Sequence, residues 1–234
     1  MKAQASSAGF IRLLQVSAVL LFLLCFGLYA KSTPTLKDRQ IIAALNQNYG
    51  KRAALRGQTW LGIMATGAHL SAQEKLVKVN TFFNQLQFID DIKLWGEENY
   101  WATPIEFIGV NGGDCEDFAI AKYFSLLELG IADEKMRITM VKSLTLNQYH
   151  MVVAYYPTPG SVPLILDNID GAIKPASQRN DLLPVYSFNG KKLWLNKEKG
   201  QGVLAGKSQR LKRWSNLNQR MGLSSLKQAK LNLE

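Results

Sequence analysis

The sequence predicts an α+β fold, in which helices come first and an antiparallel sheet follows. Residues 37–87 carry apolar side chains at helical spacing, and Ser71 and Glu74 have the spacing of a capping box. Three strand candidates follow, separated by breaks of hairpin length, at 136–144, 149–157 and 163–169. Because strands joined by such short breaks pair antiparallel, this order indicates a helical lobe packed on an antiparallel sheet.

Further elements fill the rest of the chain. Pro104 begins a short helix, and residues 114–130 read as a buried helix that ends at Gly130. Residues 185–195 are typical of a hairpin, because Asn189-Gly190 is a strong signal for a type I′ turn. After Lys197 we expect an irregular stretch and then one basic helix around SQRLKRWSNLNQRMG.

Residues 1–30 have the pattern of a secretory signal peptide. Lys2 and Arg12 supply a basic start, an apolar run extends from 13 to 30, and Ala30 is a small residue at a plausible cleavage site. The run is almost long enough to span a bilayer, so an uncleaved membrane anchor is the alternative. Either interpretation predicts that the remainder of the chain is exported.

The charge of the chain is concentrated near its C-terminus. The formal net charge is +10, but nine of the 28 basic residues and two of the 18 acidic ones lie in 197–234. With Lys2 and Arg12 in the signal, 17 basic and 16 acidic residues remain in 31–196. We therefore predict a nearly neutral domain at 31–196 and a basic, partly helical extension at 197–234 with solvated charges. A short exported tail is weak evidence for nucleic-acid binding, so no nucleic-acid partner is expected.

One cysteine remains once the signal is set aside, and its surroundings are unusual. Cys25 lies in the apolar run, whereas Cys115 stands in NGGDCEDFAIAKYFSLLELG with Asp114 at a helix N-cap position. On the first turn of a helix, backbone N–H groups and the helix dipole stabilise a thiolate, but the neighbouring carboxylates raise the thiol pKa. An unpaired thiol in an exported chain is a candidate nucleophile.

A base and its orienter follow along the chain. His150 opens the second strand and Asp167 closes the third, whereas His69, before a helix cap, is interpreted as a surface or structural residue. If the third strand pairs antiparallel with the second, with 156 opposite 163, Asp167 faces Val152, one step along the same face from His150. Such diagonal neighbours lie about 7–8 Å apart, within side-chain reach. A carboxylate there would fix the tautomer of His150 and stabilise its imidazolium form.

The stretches WATPIEFIGVNGGDCEDFAIAKYFSLLELGI, QYHMVVAYY and LILDNI resemble the bacterial transglutaminase-like cysteine proteases, most closely the LapG-type periplasmic proteases. The resemblance covers about residues 37–196. It implies a papain-like/transglutaminase-like fold with the nucleophile at a helix N-terminus, and Cys115 as nucleophile, His150 as general base and then acid, and Asp167 as orienter of His150. Trp101 is a possible wall or oxyanion contributor, although an ordinary buried tryptophan is favoured.

The same resemblance implies a calcium site beside the nucleophile. It assigns Asp114 and Glu116 as Ca²⁺ ligands, and Asp117 as a third. A hard cation binds several oxygen ligands, and it would neutralise charge that otherwise raises the Cys115 pKa. Helix capping by Asp114 and Asp117 with a solvated Glu116 is the alternative.

The resemblance also implies a substrate, a partner and a compartment. LapG-type proteases act in the periplasm, where they cut a large repeat-containing surface adhesin near its N-terminus, next to paired alanines, and so promote biofilm dispersal. An inner-membrane receptor of the LapD type holds such a protease when cyclic di-GMP is high. Two alternatives stay open, namely a transglutaminase or amide-modifying enzyme with the same Cys-His-Asp triad, and a non-catalytic binding module.

Overall fold

A computed structural model describes residues 34–196 and 202–234; the predicted signal or anchor at 1–30 lies outside them. The helices are α1 (Leu36–Tyr49), α2 (Lys51–Gly67), α3 (Ala72–Phe83), α4 (Asp91–Leu94), α5 (Pro104–Val110), α6 (Cys115–Glu128) and α7 (Lys212–Gln219). The strands are β1 (Gln87–Phe88), β2 (Gly112–Gly113), β3 (Met136–Ser143), β4 (Gln148–Tyr155), β5 (Leu164–Leu166), β6 (Lys174–Pro175), β7 (Leu182–Phe188), β8 (Lys192–Leu195) and β9 (Val203–Lys207). Within these two ranges, no helix has the length and hydropathy needed to cross a membrane.

The predicted α+β architecture is confirmed. In the described part of the chain, seven strands form one sheet in the order β6-β5-β4-β3-β7-β8-β9, and every neighbouring pair is antiparallel. The short β1 and β2 pair in parallel in a separate ribbon. The helices α1 to α6 precede the large sheet in the sequence, so the helical lobe comes first, as the sequence predicts.

Helix α6 lies at the centre of the molecule. It packs against β4 and also against helices α3 and α5. Ten of its 14 residues are buried, which explains why its apolar residues do not follow a single stripe. A helix enclosed in this way is held rigidly, so its first residue has a fixed position.

Two capping boxes define the starts of neighbouring helices. Ser71 and Glu74 form the predicted box at α3, with reciprocal side-chain and backbone hydrogen bonds. Thr103 and Glu106 form a second box at α5, with Pro104 in the first turn. Each box satisfies backbone N–H groups that the helix itself leaves unpaired.

The last hairpin lies where the sequence predicts it, but the predicted type I′ turn is wrong. A type I′ turn needs positive φ at both central residues, and neither Asn189 nor Gly190, both within the described residues, has it. The side-chain oxygen of Asn189 instead accepts hydrogen bonds from the N–H groups of Lys191 and Lys192, at 3.0 and 2.8 Å. Gly190 N–H donates to the Tyr123 hydroxyl at 2.8 Å. These contacts favour a loop that is longer than a two-residue type I′ turn.

The basic extension contains more structure than expected. The predicted irregular stretch holds strand β9, which pairs with β8, and the predicted helix is α7. Trp214 of α7 is buried and stacks on Phe124 with ring centroids 5.5 Å apart. Arg220 pairs with the buried Glu106 at 3.1 Å, so the expectation of solvated charge is wrong there. The end of the chain lies against the helical lobe, where Lys230 N–H donates to the Leu94 carbonyl at 2.7 Å.

Candidate active site

Cys115 is the first residue of α6, as the sequence predicts, and the loop before it sets its position. Helix α5 ends at Asn111, which adopts a left-handed conformation with φ 67°. The two glycines that follow form β2 beside β1. A Cβ atom on Gly113 would lie 2.3 Å from Asp117 Oδ2, so only glycine fits there without displacing that carboxylate.

The sheet brings His150 and Asp167 together. His150 lies on β4 and Asp167 directly follows β5. Val153 pairs with Leu166, which confirms the predicted register and places Asp167 opposite Val152. The Nε2 atom of His150 lies 2.7 Å from Oδ1 of Asp167, and both side chains are buried.

The hydrogen bonds of Asp167 determine the tautomer of His150. Burial raises the pKa of the Asp167 carboxyl, but the hydrogen bond and charge of His150 outweigh it and hold that pKa well below its usual range. The hydrogen bond from the Ile169 N–H to Oδ1, at 3.0 Å, also lowers the pKa of Asp167. An ionised Asp167 only accepts hydrogen bonds, so the proton resides on Nε2 of His150 and Nδ1 is available as a base.

The Cys115 thiol lies against the same strand but in an acidic environment. Its Sγ donates to Oε2 of Glu116 at 3.2 Å. Burial raises the pKa of the Cys115 thiol well above its usual value, and the charges of Glu116 and Asp114 raise it further. A hydrogen bond from the backbone N–H of Met151 opposes this rise. Since Met151 follows His150, this contact brings the thiol to the strand that carries the imidazole.

A cluster of carboxylates lies next to the thiol. Asp91, Asp114 and Asp117 each offer an oxygen within 4.8 Å of the others, and Asp114, Cys115 and Glu116 form a second such group. Asp114 occupies the N-cap position of α6, but its side chain makes no capping hydrogen bond with the described residues. Ala102 N–H donates to Oδ1 of Asp117 at 2.7 Å. The capping alternative therefore does not account for Asp114.

The carboxylates of this cluster destabilise one another. Burial, followed by the charges of Asp117 and Glu116, raises the pKa of Asp114 to about 11. Burial and then the charge of Glu116 raise the pKa of Asp91 to about 7. Burial and the Asp91 charge raise the pKa of Asp117 well above its usual value. Among themselves these groups favour their neutral forms, and a positive charge beside them would favour ionisation.

The cluster fits a hard divalent cation. Four buried carboxylate oxygens have no hydrogen-bond partner among the described residues, namely both oxygens of Asp91, Oδ1 of Asp114 and Oδ2 of Asp117. Buried polar atoms are normally paired, so orphaned oxygens that converge on one point indicate a missing partner. An all-oxygen donor set of this kind suits Ca²⁺. The predicted ligands Asp114 and Asp117 face this point with Asp91, whereas Glu116 lies towards the thiol.

Two residues of the site were not found by sequence reasoning. Asp91 precedes Cys115 by 24 positions and reads as a helix-start residue in FIDDIK. Arg179 is buried, and its Nη2 donates to Oδ2 of Asp167 at 2.8 Å. The same guanidinium donates to both carboxylate oxygens of Asp181, at 2.9 and 2.8 Å. In the sequence, the pair of acids in FIDDIK is the one signal that could have indicated Asp91, and SQRND carries no comparable signal for Arg179.

Two residues considered from the sequence are not part of this arrangement. Trp101 is buried and stacks on Phe188 with ring centroids 5.9 Å apart, as expected for an ordinary core tryptophan. Its carbonyl accepts a hydrogen bond from Arg220 at 2.6 Å. His69 is exposed at the end of α2, in agreement with its interpretation as a surface residue.

Comparisons with known proteins show which family the chain resembles. The family model described as "Bacterial transglutaminase-like cysteine proteinase BTLCP" matches residues 63–201. The solved structure of EGTA-treated Legionella pneumophila LapG is 42% identical and covers 81% of this chain and 100% of its own, with a TM-score of 0.71. The calcium-bound form of that protein is 44% identical, covers 78% and 98%, and has a TM-score of 0.68. No curated protein matches the chain.

The family model spans more than half of the chain, and the solved relatives are well above 30% identity over most of its length. Fold and activity class are therefore those of a peptidase. The chain belongs to the bacterial transglutaminase-like cysteine proteinase family.

Proposed function

We propose that this protein is a calcium-dependent cysteine endopeptidase of the periplasm that cuts a large surface adhesin near its N-terminus. The observation that carries the proposal is the junction of three features at the start of α6. These are the Cys115 thiol, the hydrogen-bonded pair of His150 and Asp167, and a convergent cluster of orphaned carboxylate oxygens. Family membership supports the peptidase chemistry, and one solved relative is described as calcium-bound.

The triad residues would act in sequence on a peptide bond. Nδ1 of His150 takes the thiol proton, and Sγ of Cys115 attacks the carbonyl carbon, with the backbone N–H of Cys115 as a donor to the oxyanion. The imidazolium then gives that proton to the leaving amine, and a thioester remains on Cys115. Water, deprotonated by His150, attacks the thioester, releases the carboxylic acid and restores the thiol. Asp167 holds the Nε2–H tautomer throughout.

Asp91, Asp114 and Asp117 would hold the cation, with Glu116 at the border between the cluster and the thiol. When bound, Ca²⁺ supplies positive charge that offsets the carboxylates which raise the thiol pKa. The hydrogen bond from Sγ to Glu116 ties the thiol to this cluster in the described structure. The arrangement makes the nucleophile sensitive to the charge balance of its neighbours.

Substrate and regulation follow from the LapG-type resemblance. We propose an adhesin cut next to paired alanines, its release during biofilm dispersal, and retention of the protease by an inner-membrane LapD-type receptor at high cyclic di-GMP. The signal-like first 30 residues support export to the periplasm, with membrane attachment only if that segment is not cleaved.

The direct test incubates the purified protein with the N-terminal region of a large repeat-containing adhesin from the same organism, in calcium or in EGTA. We expect one cut in calcium and none in EGTA, with Cys115→Ala inactive under both conditions. Cleavage that persists in EGTA would refute the calcium requirement. A labelled amine that is incorporated without any cut would instead favour the transglutaminase alternative, and adhesin release by Cys115→Ala would refute catalysis by this thiol.

A further inference from the structure

The carboxylate of Asp167 is held from two sides. Its Oδ1 accepts hydrogen bonds from His150 Nε2 at 2.7 Å and from the Ile169 N–H at 3.0 Å. Its Oδ2 accepts from Nη2 of Arg179 at 2.8 Å. With Asp167 buried, rotation about its last side-chain bond would break contacts on both oxygens at once, so these partners fix the carboxylate plane.

Arg179 is itself immobilised. Its Nε and Nη2 donate to the two oxygens of Asp181, which is the planar two-point geometry that a guanidinium favours. The Arg179 side chain is 5% exposed, and its Nη1 is buried with no hydrogen-bond partner among the described residues. The backbone is fixed as well, because Arg179 N–H donates to Ala176 and the Arg179 carbonyl accepts from Leu182, both at 3.1 Å. The guanidinium therefore reaches Asp167 from a rigid segment.

A second cationic side chain near Asp167, that of Lys122, differs from Arg179 in that its charge depends on pH. Lys122 lies two turns after Cys115 on α6 and is 1% exposed. Burial lowers the pKa of Lys122 to about 7, against the opposing effect of the Asp167 charge. A lysine in that state carries a variable charge near neutral pH, whereas a guanidinium stays charged at any working pH. Arg179 is thus the permanent counter-charge of Asp167.

We propose that Arg179 is a positioning residue of the peptidase, which acts through Asp167 to hold His150 in the tautomer and orientation that proton transfer requires. The proposal rests on the proposed function for the roles of the triad. Without Arg179, Oδ2 of Asp167 would be buried with an unpaired charge, and the carboxylate would turn or take up a proton. Either change weakens the bond to His150 Nε2, which fixes the tautomer that leaves Nδ1 free to take a proton.

A structural role alone would predict a different result, so the test needs a matched arginine. Arg56 is also mostly buried, at 18% exposure, and binds the carbonyls of Ile108 and Gly109 and the carboxylate of Glu234. It lies on α2, and none of these partners is His150, Asp167 or a residue that hydrogen-bonds to Asp167. Arg56→Met therefore removes a comparable set of contacts from the scaffold without touching Asp167.

The experiment compares Arg179→Met, Arg179→Lys and Arg56→Met in the full chain. The first readout is the Nε2–H proton resonance of His150, which is simple to assign because the chain has two histidines and His69→Gln identifies the other. The second is the rate of Cys115 alkylation by iodoacetamide. Neither readout needs the adhesin, so a protein that alkylates normally but cuts no adhesin refutes the substrate and leaves this inference intact.

We expect Arg179→Met to lose the resonance and to slow alkylation by about 10-fold to 100-fold, the range usual for loss of a supporting partner. Arg179→Lys should recover part of both, because it keeps the charge but lacks the rigid planar fork that holds both aspartates in a fixed geometry. Arg56→Met should keep both readouts while its Tm falls. The inference is wrong if Arg179→Met keeps the resonance and the rate, or if Arg56→Met loses them equally. Should Arg179→Met not fold, an unchanged resonance and rate in Arg179→Lys would also overturn it.

Discussion

We predict that Asp91→Asn stabilises the protein in the presence of a chelator and abolishes the stabilisation that calcium provides. Asp91 is 4% exposed, and neither of its carboxylate oxygens has a hydrogen-bond partner among the described residues. Asparagine has almost the same shape without the charge. The substitution thus removes both the penalty of burying a carboxylate among others and a ligand for the cation.

The size of the effect follows from the pKa of Asp91. Burial and the Glu116 charge raise that pKa from an ordinary 3.8 to about 7. At 1.36 kcal/mol for each factor of ten, ionised Asp91 costs about 4 kcal/mol of folding free energy at neutral pH, and this is an upper figure. The folded-state pKa is the higher one, so the penalty is absent below pH 3.8, grows as the pH rises and is complete above pH 7. For a chain of this size, the gain would raise Tm by about 8–16 °C at most.

The assay is denaturant unfolding at pH 5 and pH 7.5, in EGTA and in calcium. The exposed neighbour provides a matched control, because Asp90 pairs with Lys93 on the surface and Asp90→Asn should change stability by less than about 0.5 kcal/mol. We expect the EGTA gain of Asp91→Asn to be larger at pH 7.5 than at pH 5. A loss of stability in EGTA, or a calcium-induced gain equal to that of the unmodified protein, would refute the reasoning.

Three other substitutions test the packing and the chemistry. Gly113→Ala places a Cβ 2.3 Å from Asp117 Oδ2, so we expect a lower Tm and a lower calcium affinity, the latter measured by calorimetry. The control is Gly62→Ala, whose new Cβ has nothing within 4 Å, and it should stabilise the protein by about 0.5–1 kcal/mol. Equal calcium affinity in the two variants would contradict the crowding argument. Trp214→Ala should destabilise by about 3–5 kcal/mol in denaturant unfolding because that side chain is 2% exposed, and a cost below 1 kcal/mol would show that α7 is not part of the core. Asp167→Asn should lower kcat by about 10⁴ in a peptide-cleavage assay because the wrong tautomer of His150 is then held, and a loss below tenfold would exclude that role.

The sequence was sufficient to predict the positions of residues that are related by a short, regular stretch of chain. The loop around Gly160 joins β4 directly to β5, so the meeting of Asp167 with His150 could be predicted by counting along two antiparallel strands. The position of Cys115 followed from Asp114 at the N-cap position and from Gly130 as the helix stop. Each of these local sequence patterns is compatible with essentially one backbone geometry.

Other residues of the site depend on contacts between distant segments. Asp91 joins Asp114 through the packing of α4 against the loop before α6, and no periodicity records that approach. Arg179 reaches Asp167 from the segment between β6 and β7, which has no regular pattern. Strand β9 was missed because its five residues include a glycine and lack alternation, and its pairing with β8 alone defines it.

The placement of the acidic cluster explains why a thiol can be surrounded by carboxylates. Burial and the charges of Asp114 and Glu116 act together against the thiolate, and the helix start and the Met151 N–H act in its favour. Cation binding would offset part of the local negative charge, and the same event would pair the orphaned oxygens of Asp91 and Asp117. Stability and nucleophile activation therefore depend on one charge balance. A protease built in this way would be both less stable and less reactive whenever the cation is scarce, which couples its activity to the composition of the surrounding medium.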